Sequence, residues 1–493
     1  MPLARRGTRP QTMTPQNPNG TRGGWLSPLV HLANNWISLA GIVIVTTATI
    51  FWLFLLPTTL RGDTENPYVG ILAYLTIPVP FFLGLLMIPA GIWLKRRREG
   101  RLAIYPPEFP PLSWANHELR KLFYFVAITT VVNIAIASQL AYGAVSYMDS
   151  VTFCGQTCHT VMQPEYMAYQ NSPHSRVECV KCHIGPGASW FVQSKLSGVG
   201  QVFAVTFNTY PRPIPTPVHN LRPARETCEG CHWPQKYGQD RVEVINKYAE
   251  DEGNTNSKTV LLMKIGGGNH GGGIHGTHLG KHGDVVIRYK SDPTRQNIPW
   301  VSATVGGKTT EYVTPDAKLA GLEDRVMDCM DCHNRPAHAY DLPDRALDKA
   351  MGSGAISPTL PFAKKTGLAI LKVTYKTREE AEQKIPAAFT AFYQQTQPAV
   401  YAQRAGDVAA AAKEVLAIWD RNIFPDMNVT WGKYPMNIGH TDFPGCFRCH
   451  DGGHAAKDGN SITQDCNACH NLLSMDEQNP KILTDLGITE TKK

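Results

Sequence analysis

Cys179-Val-Lys-Cys182-His183 is the stretch whose reading decides the fold, because its pattern returns until no cysteine is left. The same C-x-x-C-H spacing recurs at Cys228/Cys231/His232, Cys329/Cys332/His333, Cys446/Cys449/His450 and Cys466/Cys469/His470. A sixth copy, Cys154/Cys158/His159, carries one extra residue between its cysteines. Together the six account for all twelve cysteines of the 493-residue chain. In such a motif two thiols add across the vinyl groups of one haem, and the following His ligates the iron. A zinc site would instead bring pairs of C-x-x-C units to one metal, with no His fixed after the second Cys. A disulfide framework explains the His no better, and a chain of this length does not need cross-links to fold. The expectation is a multihaem c-type cytochrome with six covalently bound haem c groups.

Upstream of the motifs the composition changes. Trp36–Leu60, Tyr68–Leu94 and Leu122–Met148 contain no charged residue. Each exceeds the ~20 residues that cross a hydrocarbon core of ~30 Å at ~1.5 Å per residue. Pro78, Pro80 and Pro89 predict a kink or break in the second. The first is too long for a cleaved signal peptide. Arg5, Arg6, Arg9 and Arg22 precede it, and Lys95, Arg96, Arg97, Arg98, Arg101, Arg120 and Lys121 crowd the loop before the third. The positive-inside bias therefore predicts a cytoplasmic N-terminus, three spans of a bacterial inner membrane and a periplasmic haem domain. Haem attachment on the outer face agrees with that topology. The net charge of +7 is largely this cytoplasmic flank, so it points to membrane lipid and not to nucleic acid.

The expected organisation is a cytoplasmic tail (1–35), a three-helix anchor (36–150), a three-haem region (151–240), a motif-free β-rich insert with a His/Gly-rich loop (241–315), and a C-terminal three-haem region with a helical spacer (316–493). Val260–Ile265, Val285–Tyr289, Pro299–Val305 and Thr309–Val313 read as short strands of the insert. Residues 376–420 have helical spacing, which Pro386 and Pro398 are expected to break. The rest of the outer domain is read as mostly α or irregular, packed around haem.

Axial ligands separate carriers from enzymes, because an iron with two protein ligands passes electrons and an open iron binds small molecules. Each motif His (His159, His183, His232, His333, His450, His470) is a proximal ligand. His174, His219, His338, His440 and His454 lie close to motifs and are the candidates for sixth ligands. A His so near one haem is expected to reach a neighbouring one, since its own proximal His holds the opposite face. The run Gly266-Gly-Gly-Asn-His270-Gly-Gly-Gly-Ile-His275-Gly-Thr-His278-Leu-Gly-Lys-His282 offers one further ligand, with His275 preferred. A solvated loop or an adventitious metal site is the competing reading of that run.

Cys154-Gly-Gln-Thr-Cys-His159-Thr-Val-Met162, Pro164 and Ser172-Pro-His174-Ser-Arg-Val-Glu-Cys179-Val-Lys-Cys-His183-Ile-Gly-Pro-Gly resemble the NapC/NirT/NrfH family over residues 130–240. The later motifs are similar to larger inner-membrane quinol:cytochrome c oxidoreductases. The resemblance implies quinol (menaquinol or ubiquinol) oxidation beside the first haem. Electrons then pass to a periplasmic soluble cytochrome or reductase. It also implies Met162 as an alternative to His159 at the first iron, and the altered Cys spacing leaves that choice open. Lys195 matches the family's quinol-contacting Lys. Asp149 and Glu178 are the candidate proton acceptors. The three spans depart from the single span of most relatives. Two rival readings remain: a conduit subunit within a larger membrane complex without its own quinol site, and a terminal reductase.

Overall fold

The computed structural model describes residues 27–33, 35–60, 77–105, 114, 117–157, 159–185, 188–218, 221–233, 238–266, 272–280 and 284–488. It divides into two units, Met1–Met148 and Asp149–Lys493.

The first unit holds α1 (Ser27–Ala33), α2 (Trp36–Leu60), α3 (Pro78–Arg101) and α4, which runs from His117 to Asp149. Glycine lets α2 and α3 approach backbone to backbone. A Cβ on Gly41 would sit 2.7 Å from the Gly84 carbonyl oxygen, and one on Gly84 would sit 2.9 Å from that of Gly41. Small residues at a crossing are the usual solution for apolar helices. Ser38 Oγ adds a hydrogen bond of 2.9 Å to the Ile88 carbonyl. Pro78 starts α3, where its missing N–H costs nothing, and only Pro89 lies inside the helix. The helix continues past Leu94, through Lys95–Arg98, to Arg101. The basic cluster expected in a loop is therefore its last turns. Among the described residues one helix, Pro78–Arg101, is long and apolar enough to cross a membrane, and the stretch of α2 with described side chains, Trp36–Thr49, is apolar but shorter. Residues 68–76 of the second expected span lie outside the described residues. The backbone of α4 is helical over 33 residues, or ~50 Å.

The second unit mixes helix and sheet. A π-helical turn (Phe153–Thr157) leads into α5 (His159–Gln170), α6 (Cys179–His183), α7 (Ala188–Thr206) and α8 (Ala224–Cys228). Then come β1 (Arg241–Tyr248), β2 (Asn256–Met263), α9 (Gly273–Leu279), β3 (Val285–Ser291), β4 (Trp300–Val305), β5 (Lys308–Val313), β6 (Glu323–Val326) and α10 (Cys329–Cys332). The chain continues through α11 (Pro343–Gly352), α12 (Ala363–Leu371), α13 (Arg378–Thr396), α14 (Pro398–Asn422), α15 (Cys466–Cys469), β7 (His470–Glu477) and α16 (Lys481–Asp485).

One sheet has the order β1-β2-β7 and the other β5-β4-β3-β6. Both sheets cross the boundary expected at residue 315. β7 comes from the C-terminal region and pairs antiparallel with β2, and β6 pairs with β3. The β-rich segment is thus no separate insert. Pairing across ~200 residues of sequence leaves no local signal for such a boundary to follow.

Helices α11 to α14 form a lobe with its own apolar core. Leu347, Leu371, Ile385, Phe389, Val415 and Trp419 are almost wholly inaccessible there. Pro398 opens α14 as expected, but Pro386 stays inside α13 and does not end it. Burial of Ile385 and Phe389 on either side overrides the local cost of the proline. A kink in α14 falls at Arg404. This lobe shows that the domain is not packed around haem alone.

Candidate haem sites

Three of the motifs sit on single helical turns. Cys179, Cys329 and Cys466 each begin a helix that reaches the second Cys of the motif. Residues three apart on such a turn share a face, so both sulfurs point the same way. The His that follows is tied to the same turn. The N–H groups of His232, His333 and His450 donate to the carbonyls of Cys228, Cys329 and Cys446 at 2.7, 2.8 and 3.0 Å. The first motif has four-residue spacing between its cysteines and lies on the π turn Phe153–Thr157. A π turn holds about one more residue per turn than an α turn, which is the kind of widening that the longer spacing calls for. That turn rests on α5: a Cβ on Gly155 would fall 2.1 Å from the Tyr166 ring.

The third motif is built differently. Its helix, α8, precedes the motif and ends at Cys228, so Cys231 falls beyond the helix in a turn. There Cys231 is exposed, whereas Cys228 is half-buried. The turn is nevertheless closed, because the Cys231 N–H donates to the Cys228 carbonyl at 3.1 Å and the His232 N–H follows it to the same oxygen. Cys182, Cys446 and Cys466 are exposed as well, so an accessible sulfur is common to several motifs.

Five motif histidines each face a second His. The ring centroids are 5.9 Å apart for His174–His232, 6.2 Å for His183–His338 and 6.2 Å for His275–His333. They are 5.9 Å apart for His278–His450 and 6.2 Å for His440–His470. Two imidazoles across one iron, each nitrogen ~2.0 Å from the metal and each ring centre ~1.1 Å further, give ~6 Å. Ordinary aromatic contacts span ~4.5–7 Å. They do not, however, dictate that every pair join one motif His to one non-motif His. Among the described residues no group of three or more His, Cys, Asp or Glu converges as a site for a bare metal ion.

Hydrogen bonds set the free nitrogen. The Nδ1 of His174 faces the Pro336 carbonyl at 3.1 Å, that of His278 the Ile274 carbonyl at 2.7 Å, and that of His450 the Thr463 carbonyl at 2.7 Å. His338 Nδ1 faces the Glu165 carbonyl at 3.0 Å and its carboxylate at 3.2 Å. Metal-bound histidines commonly donate their second N–H in this way, which leaves Nε2 for the iron. Burial lowers the pKa of His275, His278 and His338, a shift toward the neutral ring that a ligand requires. His440 is further held by stacking on Phe447, with centroids 4.3 Å apart. The residues present therefore fit haem.

Glu165 gave no sequence signal. It follows the first motif on α5, accepts from Arg335 Nη2 at 2.9 Å, and lies 3.2 Å from Nδ1 of His338. Arg335 is buried against the Tyr434 ring, 4.2 Å from its centroid. Asp331, inside the fourth motif, is another buried carboxylate. It accepts from Tyr289 Oη at 2.6 Å and from Arg325 Nε at 2.9 Å.

His454 is a correction. It is almost wholly buried, and both ring nitrogens are engaged, Nδ1 with Asp451 at 2.8 Å and Nε2 with the Ile298 carbonyl at 2.6 Å. No nitrogen remains for iron, so it is a structural His. Cys231, read as a haem-binding thiol with Cys228, stands outside the helix and open to solvent. The Gly-rich run supplies two facing histidines, His275 and His278, where one was expected. His270 and His282 lie outside the described residues, as do His219 and Cys158. The same holds for the side chains of His159 and Lys195, whose backbones lie on α5 and α7. Met162 is half-buried against an apolar cluster that includes Val161 and Phe424. Asp149 ends α4. Glu178 is exposed just before α6, 3.8 Å from Lys181.

Residues 116–213 match the NapC/NirT cytochrome c family, N-terminal region. The chain belongs to this family of c-type cytochromes, as the motifs and ligand geometry led one to expect. Across most of its length it is similar to the cytochrome c-type protein ImcH of Geobacter sulfurreducens (strain ATCC 51573 / DSM 12127 / PCA). The two are 40% identical over 455 residues, which is 90% of this chain and 89% of the relative. No solved structure matches.

Proposed function

We propose that this cytochrome carries six haem c groups, oxidises quinol at the outer face of the inner membrane and passes the electrons to a periplasmic acceptor. The observation that carries the reading is the set of five His–His pairs at 5.9–6.2 Å, each built on a motif His. Haem bound at these places supplies one-electron carriage, and the chain supplies ligands, position and dielectric. With haem bound, two imidazoles at each of these five places would leave no open coordination position, which disfavours a terminal reductase. The first motif, with His159 or Met162, is the natural place for quinol chemistry. Lys195 would hydrogen-bond a quinol oxygen, and Asp149 or Glu178 would accept its proton on the outer side. Three spans, a cytoplasmic N-terminus and a periplasmic second unit complete the proposal, on the strength of the charge-free stretches and the basic flanks. The quinone pool is then the donor, and a soluble cytochrome or reductase is the acceptor.

The test is stopped-flow reduction of the oxidised holoprotein by a menaquinol analogue, followed at the haem α-band. Rapid reduction that falls at least tenfold in Lys195→Ala is expected. Protein that dithionite reduces fully but quinol does not would make the chain a conduit fed by another subunit.

A further inference from the structure

The run of glycines and histidines from Gly266 to His282 has no obvious use in quinol oxidation, yet its described part is built with care. Backbone N–H groups at the start of α9 are pinned by the end of β2 and the residues after it: Ile274 N–H donates to the Lys264 carbonyl at 2.9 Å and His275 N–H to that of Ile265 at 2.8 Å. Gly266 and Gly273 adopt positive φ and pass each other so closely that a Cβ on Gly266 would lie 1.7 Å from the Gly272 carbonyl oxygen. Gly280, at φ 70°, ends the helix. The described glycines therefore close both ends of a helix of about two turns. On that turn His275 and His278 stand three residues apart, but they face different partners. His275 faces His333 of the fourth motif, and His278 faces His450 of the fifth.

We infer that α9 is a two-haem clamp, in which His275 closes the fourth-motif haem and His278 the fifth-motif haem. The inference rests on the multihaem reading above and adds to it a ligand, His278, and a haem adjacency. Histidines one turn apart have Cβ atoms only ~5–6 Å apart, so the two haems they hold are neighbours whose spacing the helix fixes. The other side of the site agrees. Arg448, inside the fifth motif, donates from Nη2 to the carbonyl of Asp331, inside the fourth, at 2.6 Å. The two motifs are thus held together by their own turns on one side and by α9 on the other. His278 and His450 both commit Nδ1 to a backbone carbonyl, at 2.7 Å each, so the nitrogens left to face each other are the Nε2 atoms. A site for a single bare metal would instead turn both α9 histidines to one point.

The test uses the full-length holoprotein and begins with the wild type. Its mass is expected to show six covalent haems, and its ferric EPR spectrum bis-His low-spin signals. Fewer haems, or no such signals, would sink the multihaem reading itself. Given that baseline, His275→Ala and His278→Ala are each expected to convert one haem to a high-spin signal, which added imidazole returns to low spin. The double variant is expected to show twice the high-spin intensity. If His278→Ala leaves every haem low-spin, His278 is only packed against His450 and the clamp is wrong. Should either Ala variant lose covalent haem through misfolding, His278→Met decides. A new His/Met charge-transfer band in the far red supports the clamp, and an unchanged spectrum overturns it.

Discussion

At the level of single residues, a histidine's role is set by what its two nitrogens already hold. His454 and His440 both flank the fifth motif, and spacing gives them equal claims as ligands. The difference between them is tertiary. His440 faces His470, whereas His454 spans Asp451 and the Ile298 carbonyl from a position almost closed to solvent. No local pattern reports that Ile298, 156 residues upstream, takes the second nitrogen. The distinction leads to a prediction. His454→Leu is expected to leave the haem count and the low-spin spectrum unchanged. Its cost is stability, about 2–3 kcal/mol, because a buried carbonyl and a carboxylate lose their partner. Denaturant titration beside a low-temperature EPR spectrum checks both halves, and a new high-spin haem in the variant would restore His454 as a ligand. His174 precedes the second motif and faces His232 of the third, and His338 follows the fourth and faces His183 of the second.

Elements show why some of the fold was legible and some was not. The strands at 285–291, 300–305 and 308–313 announce themselves by β-branched runs between turn residues. β7 does not, since its His470-Asn-Leu-Leu-Ser-Met-Asp-Glu477 begins on a haem-motif His and finds its partner only in β2. Identical spacing also hides unlike backbones: Cys329 and Cys332 share one helix, while Cys228 closes a helix and Cys231 follows it in a turn. The π turn of the first motif is of the same kind. The sequence states that an extra residue must be accommodated, and only the structure shows that the helix over Phe153–Thr157 is a widened, π-helical one. Its accommodation depends on Gly155. There is no room for a methyl group between that backbone and the Tyr166 ring, which a Cβ would approach to 2.1 Å. Gly155→Ala therefore has to displace either the turn or α5, and overpacking of this sort typically costs ~1–3 kcal/mol. Because the turn must present both sulfurs of the first motif together, the expected outcome is attachment failure at that motif alone. Intact mass should fall by one haem while the five His–His sites keep their low-spin signals. Full haem loading in this variant would mean that the π geometry is not needed for attachment.

Across the whole molecule, haem chemistry and protein packing occupy different ground. Every cysteine falls within a haem-attachment motif, so the number of candidate sites is written in the sequence. The α11–α14 lobe has no motif, and its purpose is not; what its residues do announce is a self-sufficient core. Within that core lies Lys364, with a side chain fully closed to solvent. Its Nζ donates to Asp348 at 2.6 Å and to the Asp344 carbonyl at 2.7 Å, and it pairs with the Asp344 carboxylate at 3.0 Å. Asp348, itself almost fully buried, also accepts from the Tyr248 N–H at 2.9 Å and so ties the end of β1 to the lobe. Burial pushes the Asp348 carboxyl up, and the Lys364 ammonium works against that shift. Removing the ammonium leaves a carboxylate in the interior with too little compensation, a loss of about 3–5 kcal/mol for a broken buried pair. Lys364→Ala is thus expected to lower the unfolding free energy seen through Trp419, which packs in this core, by that amount. None of the five His–His pairs lies in α11–α14, so the haem spectrum should persist to higher denaturant than the Trp419 signal in the variant. Coincident loss of both signals would show instead that the β1–β2 hairpin, docked on the lobe through Asn254 and Tyr248, makes lobe and haem sites one cooperative unit.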